Sequence, residues 1–440
     1  ARFFRLFPRL GVRDYLRAAF REVADLPGGK ELVGPAHNPA WKLAPSSDLC
    51  RELLGIFRQP HPDDASALRW RFDRDACLAG AGGAAEVVRF HSDTRFLGDL
   101  YQDLSEPVRK RYALLQTPDF VEAFILDHTL EPAVREFGLD GLRVLDPACG
   151  SGHFLLGSFA RLLDHWQRQA PGLSARERAN RALGSIFGVD LNPYAIAITR
   201  FRLTLAWLEA TGTERLADAP ELGMQLAVGD SLLSGTTQGE IAEYYEHEAY
   251  GGVSLHLDAT QDVARILNTP HHVIVANPPY ITVKDTAARA RIRDRYIAAE
   301  RSFALSAPFA ERIFELTAEG GFNGQITSNS FMKREFGRAL VTRVLPQVDL
   351  THVVDTSGAY IPGHGTPTVI LLARGRRPTT TSLVAALGRR GEPGVPAEAG
   401  SGRVWTSILA GFSKTTEDEA GVIFENAFVT VQRLSRTTLK

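Results

Sequence analysis

Between residues 142 and 373 the chain repeats one pattern, a short apolar run followed by a longer stretch with helical spacing. The runs are Leu142 to Leu145, Ile186 to Val189, Leu226 to Val228, Val273 to Ala276, Gln325 to Thr327, His352 to Val354 and Val369 to Ala373. Runs this short and apolar predict strands buried on both faces, and their alternation with helices predicts a doubly wound α/β fold around a mostly parallel sheet. One helix is readable in detail. Phe154, Leu155, Phe159, Leu162, Leu163 and Trp166 fall on a single helical stripe, so the segment after Gly152 packs an amphipathic face on the sheet.

The flanks read differently. Residues 1–104 carry helical patches broken by Pro27-Gly28-Gly29 and Pro35 to Pro39, which predicts an irregular, mostly helical accessory region before an α/β domain over 105–375. Residues 376–440 are rich in Arg, Pro, Thr and Gly and read as a linker into the start of a further, truncated unit. Both ends read as internal to a longer protein.

Composition narrows the function classes. With 44% hydrophobic and 23% charged residues in 440, the chain has room for two or three domains. A formal net charge of -1 provides no global field for nucleic acid, so any basic footprint has to be local. Cys50, Cys77 and Cys149 form neither a disulfide framework nor a C-x-x-C metal pair, which points to a reducing cytoplasm and no metal. No apolar run approaches the roughly 20 residues that span a bilayer, so no membrane association is expected.

Chemistry concentrates where the runs end. Asp146-Pro147-Ala148-Cys149-Gly150-Ser151-Gly152 is a glycine turn between a strand and a helix, where a ligand can approach the backbone and meet free N–H groups. It lacks the third glycine of the dinucleotide fingerprint. A tight strand-to-helix connection is the bland alternative. Asp190, in Val189-Asp190-Leu191-Asn192, ends the next run and can accept from two ribose hydroxyls. Asp230, in Gly229-Asp230-Ser231, ends the third and can hold the amino edge of an adenine ring. One such acid is usually a helix cap; three at successive strand ends indicate a ligand site.

The fourth run ends in Asn277-Pro278-Pro279-Tyr280. Two prolines fix the backbone and remove two donors, which leaves the nearby carbonyls as acceptors. An amide oxygen and a backbone carbonyl can together take both hydrogens of an –NH₂ group and turn its lone pair toward an electrophile. The Tyr280 ring can stack on the heterocycle that carries the amine. A Pro-Pro turn with a packed tyrosine is the structural alternative.

In order and spacing these motifs resemble the S-adenosylmethionine-dependent amino-methyltransferases. That resemblance implies a doubly wound, seven-stranded, Rossmann-like sheet. It assigns Thr117, Pro118, Asp146, Pro147, Ala148, Gly150, Gly152, Asp190, Leu191, Asp230 and Ser231 to S-adenosyl-L-methionine, and Asn277, Pro278, Pro279 and Tyr280 to catalysis. Gln116-Thr117-Pro118-Asp119-Phe120 resembles the family segment that touches the methionine end of the cofactor, and it also reads as a helix start with Thr117 as N-cap. Cofactor motifs ahead of the catalytic loop match the gamma arrangement of adenine-specific DNA methyltransferases. Asp355 to Thr368 and Asn277 to Lys284 are similar to the PglX-type methyltransferases of BREX phage-defence systems.

The implied reaction is methylation of the exocyclic amine of a flipped-out adenine in double-stranded DNA, in phage defence and with other defence proteins as partners. Tyr360 and Ile361 are candidates for the far wall of the base pocket. Lys284, Arg289, Arg291, Arg293 and Arg295 are candidates for phosphate contacts, against the alternative of a solvated helix face. Three other functions fit parts of the pattern: methylation of a protein glutamine or an rRNA base, a fused nuclease, and a non-catalytic defence-complex subunit. No lysine has an acid two residues before it, so an E-x-K nuclease signature is missing from this sequence.

Overall fold

The computed structural model describes residues 11–42, 46–56, 60–61, 64–68, 94, 117–233, 257–283, 285–362, 366–414 and 421–436. It divides into two compact units, residues 1–96 with 200–223, and residues 97–199 with 224–440.

In the first unit the described residues form helices Val12–Ala24, Pro27–Val33 and Ser47–Ile56 and a two-stranded antiparallel hairpin, Pro60–His61 with Asp64–Leu68. Two long-range hydrogen bonds tie its buried polar groups together. Buried Glu31 accepts from the Gly223 amide at 2.7 Å, and Arg202 Nε donates to Thr94 Oγ1 at 2.9 Å.

The second unit is built on one ten-stranded sheet. Its strands are β1 (Val144–Asp146), β2 (Ile186–Asp190), β3 (Gln225–Val228), β4 (His271–Ala276), β5 (Thr317–Ser328), β6 (Asp349–Asp355), β7 (Thr368–Arg374), β8 (Ser382–Gly388), β9 (Gly421–Glu425) and β10 (Val429–Ser435). The spatial order is β9-β10-β8-β6-β7-β5-β4-β1-β2-β3. Each of the seven apolar runs lies in one of the strands β1 to β7, apart from the first residues of the run leading into β1.

Two expectations need correction. The sheet has ten strands rather than seven, because residues 382–435 add three strands to the edge formed by β6, where a linker is expected. The sheet is also mixed rather than mostly parallel. β7 runs antiparallel to both β5 and β6, and β10 runs antiparallel to β8 and β9. Strand direction depends on how long connections return to the sheet, which apolar periodicity does not encode.

Helices cover both faces, so the central strands are apolar throughout. Val273, Ile274, Val275 and Ala276 of β4 are all fully buried. On one face, α5 (Leu257–Leu267) and α7 (Ser306–Leu316) pack over Leu145, Val189, Ala227 and Ile274. On the other lie α1 (Asp119–Phe137) and α2 (His153–Gln169), where the space beside Gly324 is closed by Ile125 and Thr129, and that beside Gly188 by Leu155. Further helices among the described residues of this unit include α3 (Ala175–Gly184), α4 (Pro193–Thr211, which continues into the first unit), α6 (Thr286–Arg295) and α8 (Arg403–Phe412). No helix among the described residues is long and apolar enough to cross a membrane.

Candidate active site

The chain leaves β1 toward β2 and β3 on one side of the sheet and returns to β4 on the other, so the strand order reverses between β1 and β4. In open α/β sheets the crevice at the carboxyl ends of such strands is where ligands bind. The register brings the predicted residues to that end. Asp146 pairs with Gly188, Asp190 with Val228, and Ala276, just before Asn277, with Gln325.

The glycine turn is shaped by two left-handed glycines. Gly150 has φ +52° and Gly152 φ +84°, conformations that an L side chain adopts only at a cost. The two are constrained in different ways. A Cβ on Gly152 would lie 2.7 Å from Thr199 Cγ2, whereas one on Gly150 would meet no described atom within 4 Å. Among the described residues, the outer side of Gly150 is therefore open. Thr199 also donates its hydroxyl proton to the Gly150 carbonyl at 2.9 Å. As a threonine inside α4, Thr199 gave no sequence signal of this role.

Both acids next to the turn are bound into it. Asp146 is buried, and its Oδ1 accepts from the Ala148 amide at 3.0 Å. Burial pushes its carboxyl up to about 8, with the nearby Asp190 adding to the rise. Asp190 accepts from the Gly150 amide at 2.9 Å and the Asn192 amide at 2.8 Å, and burial raises its pKa as well. Leu191 lies between them, partly buried. Cys149 is buried beneath the turn, close to Gly188, consistent with a small packing residue.

Beyond β3, Asp230 Oδ1 accepts from the amides of Leu232 at 2.8 Å and Leu233 at 3.1 Å and so shapes its own loop. Ser231 donates to the Pro147 carbonyl at 2.6 Å, which ties the third loop to the first. Behind them, buried Arg312 donates from Nε to the Ser231 carbonyl at 3.0 Å, and Tyr296 donates to the Leu232 carbonyl at 2.6 Å. Neither residue stood out in the sequence.

Tyr280 donates its hydroxyl proton toward Asn277 Oδ1 at 2.7 Å and also lies 3.2 Å from the Ile326 carbonyl of β5. Burial pushes the phenol pKa up, so the hydroxyl stays protonated. Asn277 Nδ2 in turn donates to Thr117 Oγ1 at 3.2 Å. The helix-start reading of Thr117 is corrected here. Pro118 occupies the N-cap position of α1 without a side-chain cap, while buried Thr117 serves the Asn277 amide.

The remaining candidates are more peripheral. Ile361 is buried and Tyr360 partly buried, on the segment that follows β6. α6 begins with Asp285 accepting from the Ala288 amide at 2.6 Å. Arg293 and Arg295 on it are exposed and Arg289 and Arg291 partly buried, with Arg293 donating to the Arg301 carbonyl at 2.9 Å. Lys284 lies outside the described residues.

Residues 184–361 match the family described as Eco57I restriction-modification methylase. Over 422 residues the chain is 46% identical to the adenine-specific methyltransferase PglX of Streptomyces coelicolor. The chain is thus similar to that PglX methyltransferase over most of its own length. The alignment covers 91% of this chain and 34% of the Streptomyces protein, so the chain spans about a third of that relative's length. Type II methyltransferase M.XhoI of Xanthomonas vasicola is 27% identical over 254 residues, covering 56% of this chain and 39% of that protein. A solved DrdV–DNA complex shares the fold, with a TM-score of 0.51 and 15% identity over 87% of this chain and 40% of the other.

Proposed function

We propose that this chain carries the catalytic part of an adenine-specific DNA methyltransferase that uses S-adenosyl-L-methionine and acts in phage defence. One observation carries the reading: the Asn277 amide stands at the same end of the sheet as the acids that close β1 and β2. In this reading β1 to β7 are the methyltransferase core within residues 105–375. Residues 1–104 are an accessory region, and β8 to β10 extend the core toward target-recognition segments.

The residues present suit the cofactor. Gly150 leaves open space against its backbone. Asp146, Asp190 and Asp230 are acceptors matched to a ligand bearing an ammonium group, ribose hydroxyls and an adenine amine, and Ser231, Leu191, Thr117 and Pro118 border them. The cofactor supplies an electrophilic methyl group. The amide oxygen of Asn277 and a carbonyl at Pro278 accept the two amine hydrogens of adenine, which directs the nitrogen lone pair at that methyl. With the cofactor bound, the amine would take up that methyl group and release one proton to solvent while these two acceptors hold it in place. Positioning and exclusion of water account for the acceleration.

Extruding the base from duplex DNA costs a few kcal/mol, offset by stacking on the Tyr280 ring with Tyr360 or Ile361 opposite. Arg289, Arg291, Arg293 and Arg295, with Lys284, supply phosphate contacts next to the loop. Other defence proteins are partners in the same reading. Sequencing methylated adenines in cells carrying the full-length protein or its Asn277→Ala variant tests it. Loss of the modification is expected, and an unchanged methylation pattern would overturn the assignment.

A further inference from the structure

The loop after β8 and helix α8 touch both sides of the proposed site. Partly buried Glu392, in that loop, donates its backbone amide to the Gly358 carbonyl at 2.8 Å. Gly358 lies just ahead of Tyr360 and Ile361, on the segment after β6. The two loops meet closely, since a Cβ on Gly358 would lie 3.3 Å from the Arg390 carbonyl oxygen. The Glu392 side chain reaches the other way. Its two carboxylate oxygens accept from the Arg403 and Val404 amides, each at 2.9 Å, and so cap the first turn of α8. Gly402 leaves room for that carboxylate, because a Cβ there would lie 2.9 Å from Oε2.

α8 carries the connection on to the start of α1. Trp405 is buried and packs edge-on against Phe120 and Phe124, with ring centroids 4.8 Å and 5.4 Å away. Gly400 abuts the same place, where a Cβ would lie 3.2 Å from Phe120 Cβ. Phe120 stands in the first turn of α1, directly after the segment in which Thr117 Oγ1 lies 3.2 Å from Asn277 Nδ2.

We propose that Glu392 is a positioning residue which, with Trp405, couples the base side of the site, at Tyr360 and Ile361, to its cofactor side at Thr117 and Pro118. The proposal rests on the amine-methylation reading above. A chain segment loses conformational entropy when a ligand fixes it. Ordering Thr117 to Phe120 around the cofactor also orders the Gly358 loop, by way of α8 and Glu392. That loop is then already fixed when the target base arrives, so cofactor and DNA each bind more tightly in the presence of the other.

Glu392→Gln keeps the shape of the side chain but turns one acceptor into an N–H donor facing a backbone amide. The backbone bond to Gly358 survives, and α8 stays attached through Ser407 Oγ, which accepts from Asn426 Nδ2 at 2.8 Å. The experiment titrates S-adenosyl-L-homocysteine into the full-length protein with its native partners, with and without saturating unmodified plasmid DNA. Thermal unfolding accompanies each titration. The wild type is expected to bind about fivefold or more tightly when DNA is present. Glu392→Gln should bring this ratio below about twofold and change the affinity without DNA by less than about twofold. Trp405→Leu should lower the ratio as well, and Trp405→Phe, which keeps a ring against Phe120, should retain most of it. The double variant Glu392→Gln/Trp405→Leu should lose no more of the ratio than either single variant, because both act on one path.

Labelled methyl transfer by Asn277→Ala tests the functional reading separately. If that variant transfers methyl normally, or if the wild type does not bind S-adenosyl-L-homocysteine, the reading fails and the coupling with it. If transfer is abolished while the wild-type ratio is near one, or while Glu392→Gln keeps the wild-type ratio, the reading stands and the coupling is overturned. An equal loss of affinity with and without DNA also overturns it, because a merely structural role weakens both alike.

Discussion

The Gly150 amide donates to the Asp190 carboxylate at 2.9 Å, joining the turn after β1 to the end of β2. Residues 40 apart in sequence thereby form one wall of the proposed cofactor site. The glycine supplies the backbone conformation, and the acid keeps the amide from facing an apolar interior without a partner.

Two alanine substitutions in that turn are expected to behave differently. At Gly150 the new methyl meets no described atom, so the cost is the left-handed backbone alone, about 1 to 2 kcal/mol. The same methyl fills the space offered to a ligand, so cofactor affinity should fall by more than stability does. At Gly152 the methyl collides with Thr199, so Gly152→Ala should destabilise the protein further and lower its melting temperature even without ligand. Calorimetric binding and thermal unfolding on both variants check this; equal loss of affinity and stability at Gly150 would contradict it.

Asp146 should make binding of the proposed cofactor pH-dependent. Its carboxyl is raised to about 8 by burial, well above the value of about 3.9 in an unfolded chain. The native state therefore binds more protons than the unfolded state between those limits. Its contribution to stability is fully present below about pH 4 and is lost as pH rises through about 8. A cationic ligand favours the carboxylate, so affinity should increase with pH up to about 8, with protons released. Titration calorimetry in buffers of different ionisation enthalpy measures the proton count. Asp146→Asn should remove both the affinity and the pH slope.

A second titration involves two histidines, one on α1 and one on β6. The rings of His128 and His352 are 5.9 Å apart, and both pack on Phe412. Burial lowers both pKa values, that of His352 to about 3. A lowered native pKa means that the unfolded state binds more protons. Stability is then present above about pH 6.5 and is lost as pH falls toward 3. His352→Phe should flatten this slope in unfolding experiments run between pH 7 and pH 5, and an unchanged slope would exclude the pair as its source.

Asp349 anchors the strands that follow the core. It is buried, and it accepts from Arg376 Nε at 2.9 Å, Arg436 Nη2 at 2.7 Å and Thr379 at 3.2 Å. Asp349→Ala removes the partner of two arginines and should destabilise the second unit by on the order of 3 kcal/mol. Denaturant unfolding reads the loss. Arg376→Ala, whose partner keeps Arg436, should cost less.

Much of the fold was legible because burial on both faces leaves a local mark. An uninterrupted run such as Val273 to Ala276 has no other comfortable environment in a folded chain. The same holds for the acids at Asp146 and Asp190, which mark where the apolar runs stop. The strand β8 also carries a readable run, Leu383 to Leu387, and β10 alternates buried Val429 and Val431 with Thr430 and Gln432. The Arg-, Pro- and Thr-rich stretch after residue 375 and Gly391-Glu392-Pro393-Gly394 drew the reading toward a linker. A Gly- and Pro-rich loop joining strands has the same composition as one joining domains.

For this protein, sequence alone determined that strands end in a glycine turn, in acids and in an Asn-Pro-Pro-Tyr loop, because backbone freedom, burial and hydrogen-bonding capacity belong to each residue type. Tertiary structure decided the strand directions, the ten-stranded sheet, and the partners of Asn277: Thr117 from 160 residues earlier, and Tyr280, itself 46 residues before the Ile326 carbonyl it reaches. Those relations depend on distances between segments remote in the chain. Whether a hydroxyl serves a helix cap or the Asn277 amide follows from which partner folding brings within hydrogen-bond reach.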